Sequence, residues 1–286
     1  MEVVRNPCKA QYSGFFNEVF NGCEDLRLDM EASVNSKSNQ GSFLFRNQGR
    51  AFAFASTHTS TWHPHCIYVR LAYEWSTADY ASLANVVKYI REVYKKPLFF
   101  LLDDRFSLLQ SILPENGIPM IRKTEIIRFK PAGELRTNEK HFRTVSDIKS
   151  DPTLETSLVH LCKRTYTETH LDNPVAEMPD EEWRSVIYDG LLETYSYVAE
   201  RDEAIIGFSL LYEADSSGWE LGWVGVDAAE SMYLLEGMLI KQLEDALKEG
   251  AAFIEKEVDS TCPYSLHLKR VSAYKISEIL YAYRST

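Results

Sequence analysis

The chain has 286 residues, 45% of them hydrophobic, and a formal charge of −11. That length and apolar content suit two domains with a core each, and the excess of acid repels phosphate backbones, which argues against general nucleic-acid binding. The N-terminal residues lack the apolar core of a secretory signal, no later run is apolar enough to span a membrane, and five cysteines at scattered spacings without a CxxC pair suggest neither disulfides nor structural zinc; a cytoplasmic protein with reduced thiols is expected.

Residues 42–46 and 51–56, separated by a turn at 47–49, and residues 66–73 read as a strand meander. Thr77-Ala78-Asp79 then precedes a helix with apolar positions at Leu83, Val86, Val87, Ile90 and Val93. Residues 97–103 form a buried-looking strand, 106–113 a short helix, Gly117 a break and 118–130 terminal strands. The polar stretch 131–140 (PAGELRTNEK) reads as a linker, which places the domains at 1–133 and 134–286.

After a strand near 142–145, Asp151 and Pro152 start a helix over 153–169 with Leu154, Leu158, Leu161 and Cys162 on one face. A second helix begins at Pro179-Asp180-Glu181-Glu182 and runs through Trp183, Val186, Ile187 and Leu191. Three strands follow, 195–200, 205–213 and 219–226, with turns at 201–203 and 215–218. An amphipathic helix over 232–248 ends at Gly250, and a strand (251–258), a short helix (264–269) and a last strand (275–283) complete the order. From the meander onward the first half repeats this order. The fold class expected is α/β with a mixed α+β sheet, in two related domains of which the C-terminal one is the more complete.

Residues 197–208, YVAERDEAIIGF, resemble the two-strand signature of the GNAT (N-acetyltransferase) superfamily, a charged turn followed by an apolar-Ile-Gly strand. Trp223-Val224-Gly225-Val226 is similar to that family's next strand, and the likeness extends over residues 142–283, with a degenerate copy over 42–130. It implies an N-acyltransferase with acetyl-CoA as cosubstrate and a small-molecule amine as acceptor. It further implies that the backbone at Val224 and Val226 receives the acyl and pantetheine groups, that Ser231, Met232 and Leu234 stand in the pyrophosphate loop, and that Ser260 stands where an asparagine often contacts the cofactor. The loop departs from the family pattern: Ser231, Met232, Leu234 and Glu236 occupy positions usually taken by arginine and small residues that let backbone N–H groups approach phosphate. The alternative function is a non-catalytic binding or scaffold protein on the same fold. An aminoacyl transferase using aminoacyl-tRNA is a further alternative, disfavoured by the acidic charge.

Acyl transfer to an amine needs the amine deprotonated and the leaving thiolate protonated. Glu220, on the strand leading to the expected splay, is the candidate base; its plainer role is a solvated strand carboxylate. His267 falls where many family members place an acidic tyrosine, and Tyr264 lies one turn earlier; either could be the acid, or a surface histidine and a core tyrosine. His58, His63, His65 and Cys66 lie within nine residues in an expected hairpin loop, without a matching ligand pair elsewhere, so no metal site is assigned. Cys162 and Cys262 read as packed thiols, and the acids at 180–182 as a helix start that could also attract a cationic amine.

Overall fold

A computed structural model describes residues 1–75, 78–131, 142–214, 217–270 and 273–286. The chain packs as two units: Met1–Arg122 with Asp172–Ala176 and Leu280–Thr286, and Lys123–Leu171 with Glu177–Ile279. The expected boundary at 133/134, most of the linker and parts of the turns at 77 and 215–216 lie outside the described residues.

The first unit opens with β1 (Glu2–Arg5), α1 (Lys9–Val19) and α2 (Glu24–Asn35), elements for which residues 1–41 offered no sequence assignment. Their apolar side chains, Tyr12, Phe15, Phe16 and Met30 among them, pack with Leu44, Phe54 and Ala72 in one buried cluster. The meander follows as β2 (Asn39–Asn47), β3 (Arg50–His58) and β4 (Ile67–Tyr73), then α3 (Tyr80–Val93), β5 (Leu98–Asp103) and α4 (Ser107–Glu115). The order strand, two helices, meander, helix, strand, helix is thus complete here too. The sheet runs β1-β2-β3-β4-β5, and residues 280–284 pair antiparallel with β5. Parallel pairing of β4 with β5 covers only Ile67↔Leu98 and Tyr68↔Phe99; beyond that the strands part. Helix α3 is capped by Asp79, whose carboxylate accepts from the Ser82 N–H at 2.9 Å, and its buried stripe of Leu83, Val86, Val87 and Ile90 joins the core.

The second unit consists of β6 (Met120–Phe129) from Lys123 on, β7 (Arg143–Thr144), α5 (Val145–Ile148), α6 (Pro152–Thr169), α7 (Asp180–Tyr188), β8 (Tyr197–Arg201), β9 (Ala204–Glu213), β10 (Trp219–Val226), α8 (Tyr233–Glu249), β11 (Ile254–Asp259), α9 (Pro263–Leu268) and the part of β12 (Tyr274–Arg284) before Leu280. Its sheet runs β7-β8-β9-β10-β11-β6, the same order element for element as in the first unit. Asp151 caps α6, accepting from the N–H groups of Thr153 (3.0 Å) and Leu154 (3.2 Å), with Pro152 at the first helical position where its missing N–H costs nothing. Helix α7 stops at Tyr188, short of Leu191, because Gly190 turns the backbone to φ +70° and Leu191 bridges to Tyr212 instead. Helix α8 ends at Gly250 with φ +76°, and its buried face of Leu235, Leu239, Leu243 and Ala246 packs against Leu221, Ile254 and Val258.

Candidate active site

The site begins with a failure of strand pairing. Strands β10 and β11 are parallel partners only at Trp219↔Ile254 and Glu220↔Glu255, after which β10 bulges between Leu221 and Trp223 and the strands separate. Gly222 sits in the bulge because a Cβ there would come within 2.7 Å of the Tyr212 ring, whose hydroxyl is fixed on the Ile187 carbonyl at 2.9 Å. Likewise a Cβ on Gly225 would meet Phe208 and Thr165 at 2.8 Å, so bare backbone lets α6 lie close on β10.

A cavity of about 240 Å³ opens where the strands part. Helix α6 supplies Cys162, Thr165 and Tyr166 to its wall, β10 supplies Glu220 and Trp223, β11 supplies Lys256 and Glu257, and α9 supplies Tyr264. Tyr166 stacks on His170 (3.9 Å between centroids) and on Trp223 (5.2 Å), and the fully buried Trp183 meets Trp223 edge-on at 5.8 Å. That aromatic wall is suited to a cation or a flat apolar group. Glu220 and Glu257 are exposed, whereas Lys256 and Tyr264 are buried.

Of the residues singled out from sequence, Glu220, Trp223, Val224 and Tyr264 share this cavity, as do the thiols Cys162 and Cys262. Burial pushes the Tyr264 phenol above its ordinary value of 10.0, and the neighbouring Glu168 charge adds to this, so the hydroxyl keeps its proton at neutral pH. Burial also raises the Cys162 thiol well above its usual range, which leaves it a packed thiol and no nucleophile. Cross-strand from Glu220, Tyr212 is likewise raised, first by burial and then by Cys162 and Glu220.

The other candidates lie outside the cavity lining. His267 Nε2 is 2.9 Å from Glu236 Oε1, within ion-pair distance but off the direction of a hydrogen bond. Ser260 is engaged with β6: its N–H donates to the Lys123 carbonyl (2.8 Å) and its Oγ accepts from the Lys123 N–H (3.0 Å). Val226 is buried in the strand, and Ser231 Oγ donates to Asp227 at 2.7 Å. Met232 is partly buried, and Leu234, which the sequence places where bulk would obstruct a ligand, is 4% exposed and packs with Tyr197, Ala199 and Met238. Asp180 starts α7 and accepts from Lys163 (3.0 Å), with His160 at 2.8 Å; the Lys163 bond, then His160, holds its carboxyl below the ordinary value.

Tyr166, His170 and Lys256 were not singled out from sequence. The alternation Ile254, Lys256, Val258 carried a signal, since it sets a lysine on an otherwise apolar strand face. Tyr166 and His170, four apart on α6, announce nothing until the helix is laid on β10.

No family model matches the chain, and no curated protein does. Solved structures match along its whole length. A GCN5-related N-acetyltransferase from Sphaerobacter thermophilus is 13% identical with a TM-score of 0.60, covering 99% of this chain and 95% of that one. An acetyltransferase of the GNAT family from Colwellia psychrerythraea is 7% identical with a TM-score of 0.55 and full coverage of both chains. A tandem GNAT protein from the clavulanic acid biosynthesis pathway is 10% identical with a TM-score of 0.54, covering 99% and 98%. The chain therefore has the GNAT fold, carried in tandem. Among the described residues no helix is long and apolar enough to cross a membrane.

Proposed function

We propose that the second unit is an acyl-CoA-dependent N-acyltransferase, with acetyl-CoA as cosubstrate and a small amine as acceptor. The cavity between β10 and β11 carries this reading, because it sets an exposed carboxylate and a buried, protonated phenol around one space beside free strand backbone. In the transfer, the amine nitrogen bonds to the acyl carbon and the carbon–sulfur bond breaks. Glu220 would take the proton released by the amine, directly or through water, and Tyr264 would give its hydroxyl proton to the departing sulfur. Val224 supplies backbone at the parted edge.

The start of α8 supports an anion contact for the cosubstrate's phosphates. Its cap residue Met232 makes no side-chain capping bond; the Leu235 N–H donates to the Met232 carbonyl at 3.1 Å, and the first turn has no capping carboxylate such as Asp79 lends α3. With Leu234 in the core, the adverse feature at this end is the Glu236 charge. That charge, with no glycine or arginine at 231–234, favours the second reading, a non-catalytic binding protein on the same fold.

Incubation of the full chain with acetyl-CoA and a panel of small amines, with release of free coenzyme A followed chromatographically, tests the proposal. Amine-dependent release that falls in E220Q and Y264F supports transfer. Calorimetric binding of acetyl-CoA or of amines without release under any condition would leave the binding reading.

A further inference from the structure

Strand β11 places Ile254, Lys256 and Val258 on one buried face, and the flanking two belong to the apolar core. Lys256 is only 7% exposed, lines the cavity, and donates from Nζ to the Gly222 carbonyl at 2.9 Å. It makes no ion pair with a described carboxylate. A lysine Nζ has three donors, and buried donors are ordinarily paired. One carbonyl leaves the others to whatever enters the cavity. The same space is bordered by the exposed carboxylates of Glu220 and Glu257 and by the Tyr166–Trp223 wall.

Those charges select a ligand. A phosphate dianion would meet one amino group and two carboxylates, whereas a cation without an anionic group would leave Lys256 unmatched. A molecule with one positive and one negative end satisfies both sides, and the volume, about 240 Å³, falls below the ~300–1,000 Å³ of pockets for drug-sized ligands. We infer that the cavity takes a free amino acid, its carboxylate on Lys256 Nζ and its amino group toward Glu220. Naming that amino acid the acyl acceptor rests on the transferase reading above; the seating on Lys256 does not. Lys256 is then a specificity-determining residue, positioned by the bulge carbonyl of Gly222.

The test is calorimetric titration of the full chain, without acyl-CoA, by amino acids and by the matched amines lacking the carboxylate: phenylalanine against phenethylamine, serine against ethanolamine, lysine against cadaverine. At least one amino acid should bind about tenfold more tightly than its amine. K256M should reduce that preference to within about twofold, and K256R should restore part of it. No carboxylate preference in the wild type, an absence of any binding included, overturns the inference, as does a preference that survives in folded K256M. Should K256M fail to fold, the wild-type ratio and K256R decide. Release of coenzyme A separates the two ideas: carboxylate preference without release breaks the transferase reading alone, and release with no carboxylate preference breaks this inference alone.

Discussion

Both units part their sheet at the same place, two residue pairs into the parallel ladder, and differ in what fills the gap. In the first unit Tyr68 and Phe99 form the second pair, and the next β5 residue, Phe100, is fully buried in a cluster with Leu71, Tyr73, Leu102 and Leu109. In the second, Glu220 and Glu255 form that pair and the next residue is Lys256, beside a cavity. Tyr68, in register with Glu220, accepts from Asn173 Nδ2 at 2.8 Å and packs on Phe99 at 4.9 Å between centroids. The helix that follows is capped by Asp79 in the first unit and by no side chain in the second. One architecture thus serves as core in one place and as a polar cavity in the other, which is why function is argued from the site and not from the fold.

The largest effect should come from forcing one gap to resemble the other. F100K puts an amino group among apolar side chains and removes an aromatic, at a cost of about 4 kcal/mol or more in urea unfolding. K256M keeps the volume but leaves the Gly222 carbonyl without its donor, and should cost less than F100K, about 1–3 kcal/mol. A cost for F100K below about 1 kcal/mol would show that the first gap is less tightly packed than the burial of Phe100 implies.

Smaller in energy, but closer to chemistry, is removal of the proton acceptor. E220Q should lower kcat about a hundredfold, as loss of a general base does, while Y68F in the first unit leaves kcat unchanged. Equal losses in both would place the chemistry elsewhere. Y264F, which removes the proton donor, should likewise cost about a hundredfold. Because the protonated phenol is the useful form and its pKa is raised above 10.0, the rate attributable to it should persist through neutral pH and fall only above that ordinary value. An alkaline decline below pH 9 that Y264F leaves in place would assign it to another group.

The element order was legible because periodicity, capping and turn residues agree locally. Asp151-Pro152 before an apolar stripe, the acids of α7 and the Gly250 stop all act within one or two helical turns. Residues 1–41 were not legible: α1 shows Tyr12, Phe15, Phe16 and Val19 as a buried face, but no start signal beyond Cys8 announces it. The cavity was half legible. Glu220 and Tyr264 could be placed by position along elements, but Lys256 and Tyr166 come to line one cavity only through the parting of β10 from β11 and the close seat of α6 that Gly225 permits, both long-range events. Leu234 shows the converse limit, since spacing gave its place at the helix start and tertiary packing decided that its side chain turns into the core.

The smallest expected effect concerns that helix start, and it isolates charge from bulk. Replacing Leu234 by glycine would empty a core position, with a loss of about 2–5 kcal/mol on the scale of large-to-small substitutions, and would report on folding before it reported on any ligand. Glu236 is different: it lies in the first turn of α8, its side chain is 47% exposed, and His267 Nε2 lies 2.9 Å from its carboxylate. E236Q forgoes a favourable contact between a carboxylate and a helix N-terminus and an exposed pair, together no more than about 1 kcal/mol of stability. If the phosphates of acetyl-CoA rest on the same N–H groups, the substitution removes a repulsion of similar size, so KM for acetyl-CoA should fall about threefold at low salt. The gain should shrink toward unity as salt screens the exposed charge. D79N in the first unit supplies the contrast, since α3 is closed by its own cap, and it should leave that KM unaltered while costing a little stability. A KM that ignores E236Q at low salt, or that moves with D79N instead, would remove the α8 terminus from the cosubstrate's path.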